Sequence, residues 1–169
     1  MQHGGDPNLF DHDSKSLILK VMSSSRPDKD KKEEIQLLID AGADLDYDAT
    51  QTGSTALYRS ISGGRYSVTL QLLEAGASYN YCWGTQFSKQ TVLDFLVAGM
   101  SDITPPEEKE NYAKVLAWLE ADGADLEGAR KDKAKRVQGG KQSPARVEEL
   151  QKRYEDELAV KEKVDAGKK

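Results

Sequence analysis

Three times along this chain a run of apolar residues ends on nearly the same phrase: LLIDAGADLD from Leu37, LLEAGASYN from Leu72 and WLEADGADLE from Trp118. A segment that returns near a fixed spacing is the mark of a stacked repeat, and it constrains architecture before any other residue is read. Gly42 and Gly76 are 34 positions apart and Gly76 and Gly123 are 47 apart, so the second interval holds one period plus an insertion. Ahead of each glycine the apolar residues recur at helical spacing: Ile35, Leu37, Leu38 and Ile39, then Val68, Leu70, Leu72 and Leu73, then Val115, Leu116, Trp118 and Leu119. The glycine follows the last helical residue, where a left-handed turn is cheap only without a side chain.

A shorter helix is expected before each of these. Thr55 is placed to cap Ala56 to Ser62 and Thr91 to cap Val92 to Ala98, with a weaker counterpart at Ser16 to Met22. Gly63 and Gly64 separate the two helices of the central copy. The unit is thus helix, tight turn, helix, glycine stop and extended loop, and only stacking gives such a unit a core. The insertion falls at 99–111, where Thr104, Pro105 and Glu107 read as a capped helix start, so the last outer helix is expected from near Pro105 to about Ala121.

At these residues the chain resembles the ankyrin repeat. The family's pattern is met in the central copy at Gly53, Thr55, Leu57, Gly64, Val68, Leu72, Leu73, Gly76, Ala77 and Asn80. The first copy keeps Leu38, Gly42, Ala43 and Asp44, and the third keeps Thr91, Leu93, Val115, Leu119, Gly123, Ala124 and Asp125. The family's proline is replaced by Ala56 and Val92, and its histidine by Tyr58 and Asp94. The resemblance implies an all-α, helix-turn-helix repeat solenoid of about three copies, with a concave, loop-bearing side that binds other proteins.

The expected organisation is a polar lead at 1–13, the repeat stack at 14–127, a basic flexible linker at 128–142 and a charged C-terminal helix at 143–165. That final helix carries Val147, Leu150, Tyr154 and Leu158 as a narrow apolar stripe, which wants a surface to lie against. Residues 1–128 hold 11 Lys+Arg against 21 Asp+Glu, whereas 129–169 hold 13 against 8. The acidic body favours a partner with a basic surface and disfavours phosphate backbones, so nucleic acid is not the expected ligand. The cluster RKDKAKR in the linker reads as a solvated tether, a contact for the acidic body or a partner, or a nuclear-import or nucleic-acid segment.

With 37% hydrophobic residues and no apolar run near the roughly 18 residues of a membrane span, the chain reads as soluble. No secretory signal is visible, and a single cysteine, Cys82, excludes an internal disulfide, so the cytoplasm is the expected compartment. His3 and His12 sit in the polar lead among Asp6, Asp11 and Asp13, a spacing that matches no established metal pattern. No catalytic constellation stands on a rigid element, and no enzyme activity, cofactor or metal is expected. Cys82, with only Lys89 as a nearby cation, reads as an inert thiol.

The segment 78–90, SYNYCWGTQFSKQ, places Tyr79, Tyr81, Trp83 and Phe87 in one loop. Exposed rings there would serve as interface anchors, Trp83 and Tyr81 foremost; the alternative is that they fold inward to patch a long loop. The candidate binding residues are these four together with Tyr47, Asp48, Tyr58 and Arg59. The function expected is that of a non-enzymatic binding module, an inhibitor of the immunity or antitoxin kind. The alternative is a scaffold that bridges two partners through the stack and the C-terminal helix.

Overall fold

A computed structural model describes residues 5–10, 15–24, 28–48, 53–100 and 104–166. His3, His12, Asp11 and Asp13 lie outside the described residues. The chain is mostly helical, and it divides into two compact units, one formed by Met1–Ser78 with Met100–Ala124 and the other by Tyr79–Gly99 with Asp125–Lys169.

The first unit holds α1 (Leu17–Ser23), α2 (Asp28–Asp40), α3 (Ala56–Ser62), α4 (Tyr66–Glu74) and the long α6 (Pro106–Ala121). Helix α1 packs on α2 and α3, α3 on α4, and α4 on both α2 and α6. Their shared core contains Ile18, Met22, Ile35, Leu57, Val68, Leu72, Val115 and Leu119, with Leu38 half-buried beside it. The three glycine-terminated ridges therefore lie in one unit. A buried hydroxyl pair, Ser60 Oγ to Thr69 Oγ1 at 2.9 Å, ties α3 to α4.

The helix stops are alike in detail. Gly42, Gly76 and Gly123 have φ of 82°, 91° and 83°. In each case the following alanine donates its N–H five residues back, Ala43 to Leu38 at 2.9 Å, Ala77 to Leu72 at 3.0 Å and Ala124 to Leu119 at 2.9 Å. This six-to-one bond closes a helix end through a left-handed residue, which is why the same phrase recurs. The loops after the stops are also linked: the Ser78 N–H donates to Asp46 Oδ1 at 2.7 Å. The lead is tied in as well, since the Asp44 N–H donates to Asn8 Oδ1 at 2.7 Å and Phe10 stacks on Tyr47.

Thr55 caps α3 as expected, accepting from the Tyr58 N–H at 3.2 Å. The start of α6 differs. Pro105 takes the cap position without any side-chain bond, and Thr104 is buried. Pro106 brings no N–H to satisfy, and the Glu108 N–H donates to the Pro105 carbonyl at 3.0 Å, so the helix start needs no side-chain cap there.

The second unit departs from an all-helical fold. Residues expected as loop form an antiparallel hairpin, β1 (Cys82–Thr85) with β2 (Ser88–Thr91), in the register Cys82 opposite Thr91 and Thr85 opposite Ser88. The chain continues into α5 (Val92–Leu96), α7 (Leu126–Val137) and α8 (Pro144–Ala166). The third glycine-terminated copy is thus divided, its short helix α5 in this unit and its long helix α6 in the other.

The expected linker at 128–142 is corrected by α7. Asp125 caps this helix by accepting from the Gly128 N–H at 2.8 Å, and Leu126, Ala129 and Asp132 are buried. α7 packs on α5, and α8 packs on both strands. The stripe of α8 has its surface: Val147 and Leu150 are buried, whereas Leu158 further along is 36% exposed.

The hairpin depends on Gly84. Its φ is 118°, and a Cβ there would overlap the Ser88 carbonyl oxygen. Gly84→Ala should therefore destabilise the hairpin by about 1 kcal/mol or more, read as faster amide exchange across residues 82–91. Unchanged exchange would show that the strands tolerate another geometry.

Candidate protein-interaction site

The hairpin is held to its own unit by side chains from three elements. Tyr81 and Trp83 stack with ring centroids 6.3 Å apart, and Trp83 stacks in turn on Phe95 of α5 at 5.9 Å. Tyr81 meets Tyr154 of α8 edge to face at 5.1 Å. Offset and edge arrangements of this kind add to the apolar burial. Polar contacts reinforce them. Asn80 Nδ2 donates to Glu157 Oε2 at 2.9 Å, and the Lys89 N–H donates to Gln142 Oε1 at 2.8 Å. Cys82 Sγ lies 3.5 Å from Gln151 Oε1.

Trp83 and Tyr81, half-buried, thus pack against rings of their own unit. Phe87 does not share this fate. It occupies the two-residue turn, its N–H donating to Thr85 Oγ1 at 3.1 Å, and its side chain is 71% exposed. Tyr79 is half-buried. The sequence reading missed Phe95, and it placed Tyr154 in the apolar stripe of the C-terminal helix without joining it to the rings of the loop; both complete the ring cluster.

The four candidates in the first unit are occupied differently. Tyr47 stacks on Phe10 at 4.5 Å. Asp48 Oδ2 accepts from the N–H groups of Gly53 at 2.6 Å and Ser54 at 3.2 Å, so its carboxylate is already engaged. Arg59 Nη1 donates to Ser23 Oγ at 3.2 Å, and Tyr58 is half-buried. This unit also carries an open, largely apolar cleft of about 510 Å³ between α1 and α2, lined by Leu17, Lys20, Val21, Glu34, Leu37 and Leu38.

Beneath the hairpin the second unit is organised by charge. Asp94 Oδ2 accepts the Thr91 N–H at 2.8 Å, and Asp94 Oδ1 pairs with Arg136. Burial pushes the Asp94 carboxyl above its usual range, against the opposing pull of the Thr91 N–H and of Arg136. Arg146 binds Asp132 at 2.7 Å, Asp125 at 2.9 Å and Glu149 at 3.0 Å, and Arg153 binds Glu149 at 2.6 Å. Burial alone would lower the Arg146 guanidinium, but the hydrogen bonds it donates to Asp132 and Glu149 raise it well beyond its ordinary value. The Cys82 thiol is raised chiefly by burial, with Lys89 opposing, as suits an unreactive sulfur.

No group of three or more His, Cys, Asp or Glu among the described residues is placed to hold a metal ion. Among the same residues no helix is long and apolar enough to cross a membrane. By architecture the chain is a mostly helical protein with a helix-supported β-hairpin that presents one ring at its turn. No protein-family model matches it, and no curated protein matches it in sequence.

Proposed function

We propose that the chain is an ankyrin-type protein-binding module that inhibits its partner, with Phe87 as the anchor of the contact. The observation that carries this is the exposure of Phe87 on a hairpin whose strands are fixed by α5 and α8. A large ring held in water on a rigid support loses little conformational freedom on binding, which is the property of an interface anchor. The three equivalent glycine stops and the side-by-side packing of α2, α4 and α6 support the repeat assignment. Inhibition follows where the surface covered on the partner is its own working site. The first unit, with 10 Lys+Arg against 18 Asp+Glu, favours encounter with a basic surface.

The opposite charge of the second unit, 14 Lys+Arg against 11 Asp+Glu, favours a second reading as a scaffold whose units meet different partners. Removing 129–169 cannot separate the two readings, because α8 supports the hairpin. A functional assay of the captured partner separates them: an inhibitor lowers its activity, and a scaffold leaves it unchanged while recruiting a second protein.

The test is capture from the native host with the intact chain and with Phe87→Ala, each read by mass spectrometry. The substitution should leave the thermal melt within about 0.5 kcal/mol and weaken capture of the partner by on the order of 2 kcal/mol. Equal capture by both proteins would remove Phe87 from the interface.

A further inference from the structure

The second unit carries a groove, distinct from the hairpin turn, of about 380 Å³ lined by Gln90, Asp94, Phe95, Ala98, Lys133, Arg136 and Val137. Its apolar lining comes from Phe95 of α5, from Ala98 just beyond that helix and from Val137, which is 79% exposed at the end of α7. Its charge comes from α7. Arg130, Lys133 and Val137 follow at helical spacing, with Arg136 one turn from Lys133.

The cations of α7 are unequally matched. Lys131 pairs with Glu127 and Asp132 is taken by Arg146. Arg130, Lys133 and Lys135 have no carboxylate within ion-pair reach among the described residues. In the groove Asp94 occupies one side of the Arg136 guanidinium, while Arg136 Nη1 is buried without a hydrogen-bond partner. One carboxylate therefore faces two cations.

We infer that this groove binds an acidic peptide segment of a partner protein, an apolar side chain lying against Phe95, Ala98 and Val137 while flanking carboxylates meet Lys133 and Arg136. Guanidinium forks match carboxylates in geometry, and Arg-centred clusters are a recurring way to recognise acidic motifs. The apolar lining favours such a segment over nucleic acid, whose phosphates gain nothing from it.

The probe is a fluorescein-labelled hexapeptide, Asp-Glu-Leu-Phe-Glu-Asp, titrated against the full chain and followed by anisotropy. A second peptide with Ser-Ser in place of Leu-Phe and a single-stranded DNA oligonucleotide are run beside it. Lys133→Glu reverses the charge at the groove, and Ala98→Trp fills it without touching the Arg136 to Asp94 pair; thermal melts confirm that both variants fold. The Leu-Phe peptide should bind, with each substitution raising its Kd by about tenfold and with the Ser-Ser peptide binding more weakly. Raising salt should weaken the wild-type complex. Absence of peptide binding, binding that survives both substitutions, equal binding of the Ser-Ser peptide, or tighter binding of the DNA would each overturn the inference. None of these readings involves Phe87, so the groove and the hairpin turn stand or fall separately.

Discussion

Replacing Arg146 by alanine is expected to cost about 3–5 kcal/mol, the largest loss of any single substitution in the second unit. The reason is what it leaves behind. Asp132 is only 4% exposed, and Arg146 supplies its counter-charge at 2.7 Å. An uncompensated buried carboxylate is far more damaging than a lost surface pair. The same argument predicts recovery: Arg146→Met combined with Asp132→Leu should regain most of the loss, because it removes both charges. Denaturant melts of the single and double variants check this, and a single variant as stable as the parent would show the cluster to be ornamental.

The cluster also has a pH signature. Burial alone would raise the Asp125 carboxyl, but the Gly128 N–H and Arg146 outweigh it and hold it below its usual range. Glu149 is lowered first by its hydrogen bond from Arg146. Carboxylates depressed in the folded state contribute stability that is present above their unfolded values, near about 4, and is lost as pH falls through the depressed ones. Stability should decline on acidification in that range, and the decline should be shallower in Arg146→Ala.

Leu72→Ala is expected to cost about 2–5 kcal/mol by emptying a packed position in the first unit. Leu72 is 0% exposed on α4, the helix that touches α2, α3 and α6. Leu37→Ala is the matched control. It removes the same atoms from a similar leucine pair, but Leu37 is 70% exposed, and the effect should stay within about 0.5 kcal/mol. Urea melts that failed to separate the two would contradict the packing described here. A loss of the expected size is a large share of the roughly 5–15 kcal/mol by which a domain of this kind is held.

What could be read from the sequence follows the range of the interaction involved. The stops at Gly42, Gly76 and Gly123 were legible because a left-handed residue demands glycine locally, and the cap at Thr55 because a hydroxyl three residues from a free N–H is a local matter. α7 was read as a linker because its place in the core rests on Leu126, Ala129 and the buried charge of Asp132, whose partner Arg146 lies on the next helix. In a linear reading, a charge buried against a distant counter-charge looks the same as one in water. The hairpin was missed for a similar reason: its turn, Gln86 and Phe87, lacks the Asn-Gly signature of tight hairpins, and its rings find their partners at Phe95 and Tyr154. The sequence marked the cluster of rings as unusual, but only the fold shows that Trp83 packs and Phe87 does not.

The division of the third copy sets a timetable for biosynthesis. The segment Tyr79–Gly99 leaves the ribosome before the residues that complete the acidic unit, yet it belongs with Asp125–Lys169, which follow them. A nascent chain can close its first core once Ala124 has emerged, while the hairpin stays without α8 until Ala166 has emerged. During that interval Tyr81 lacks Tyr154, its ring partner on α8, and transiently exposed apolar surface of this kind is prone to aggregation. The unit that presents Phe87 is thus completed after the acidic one.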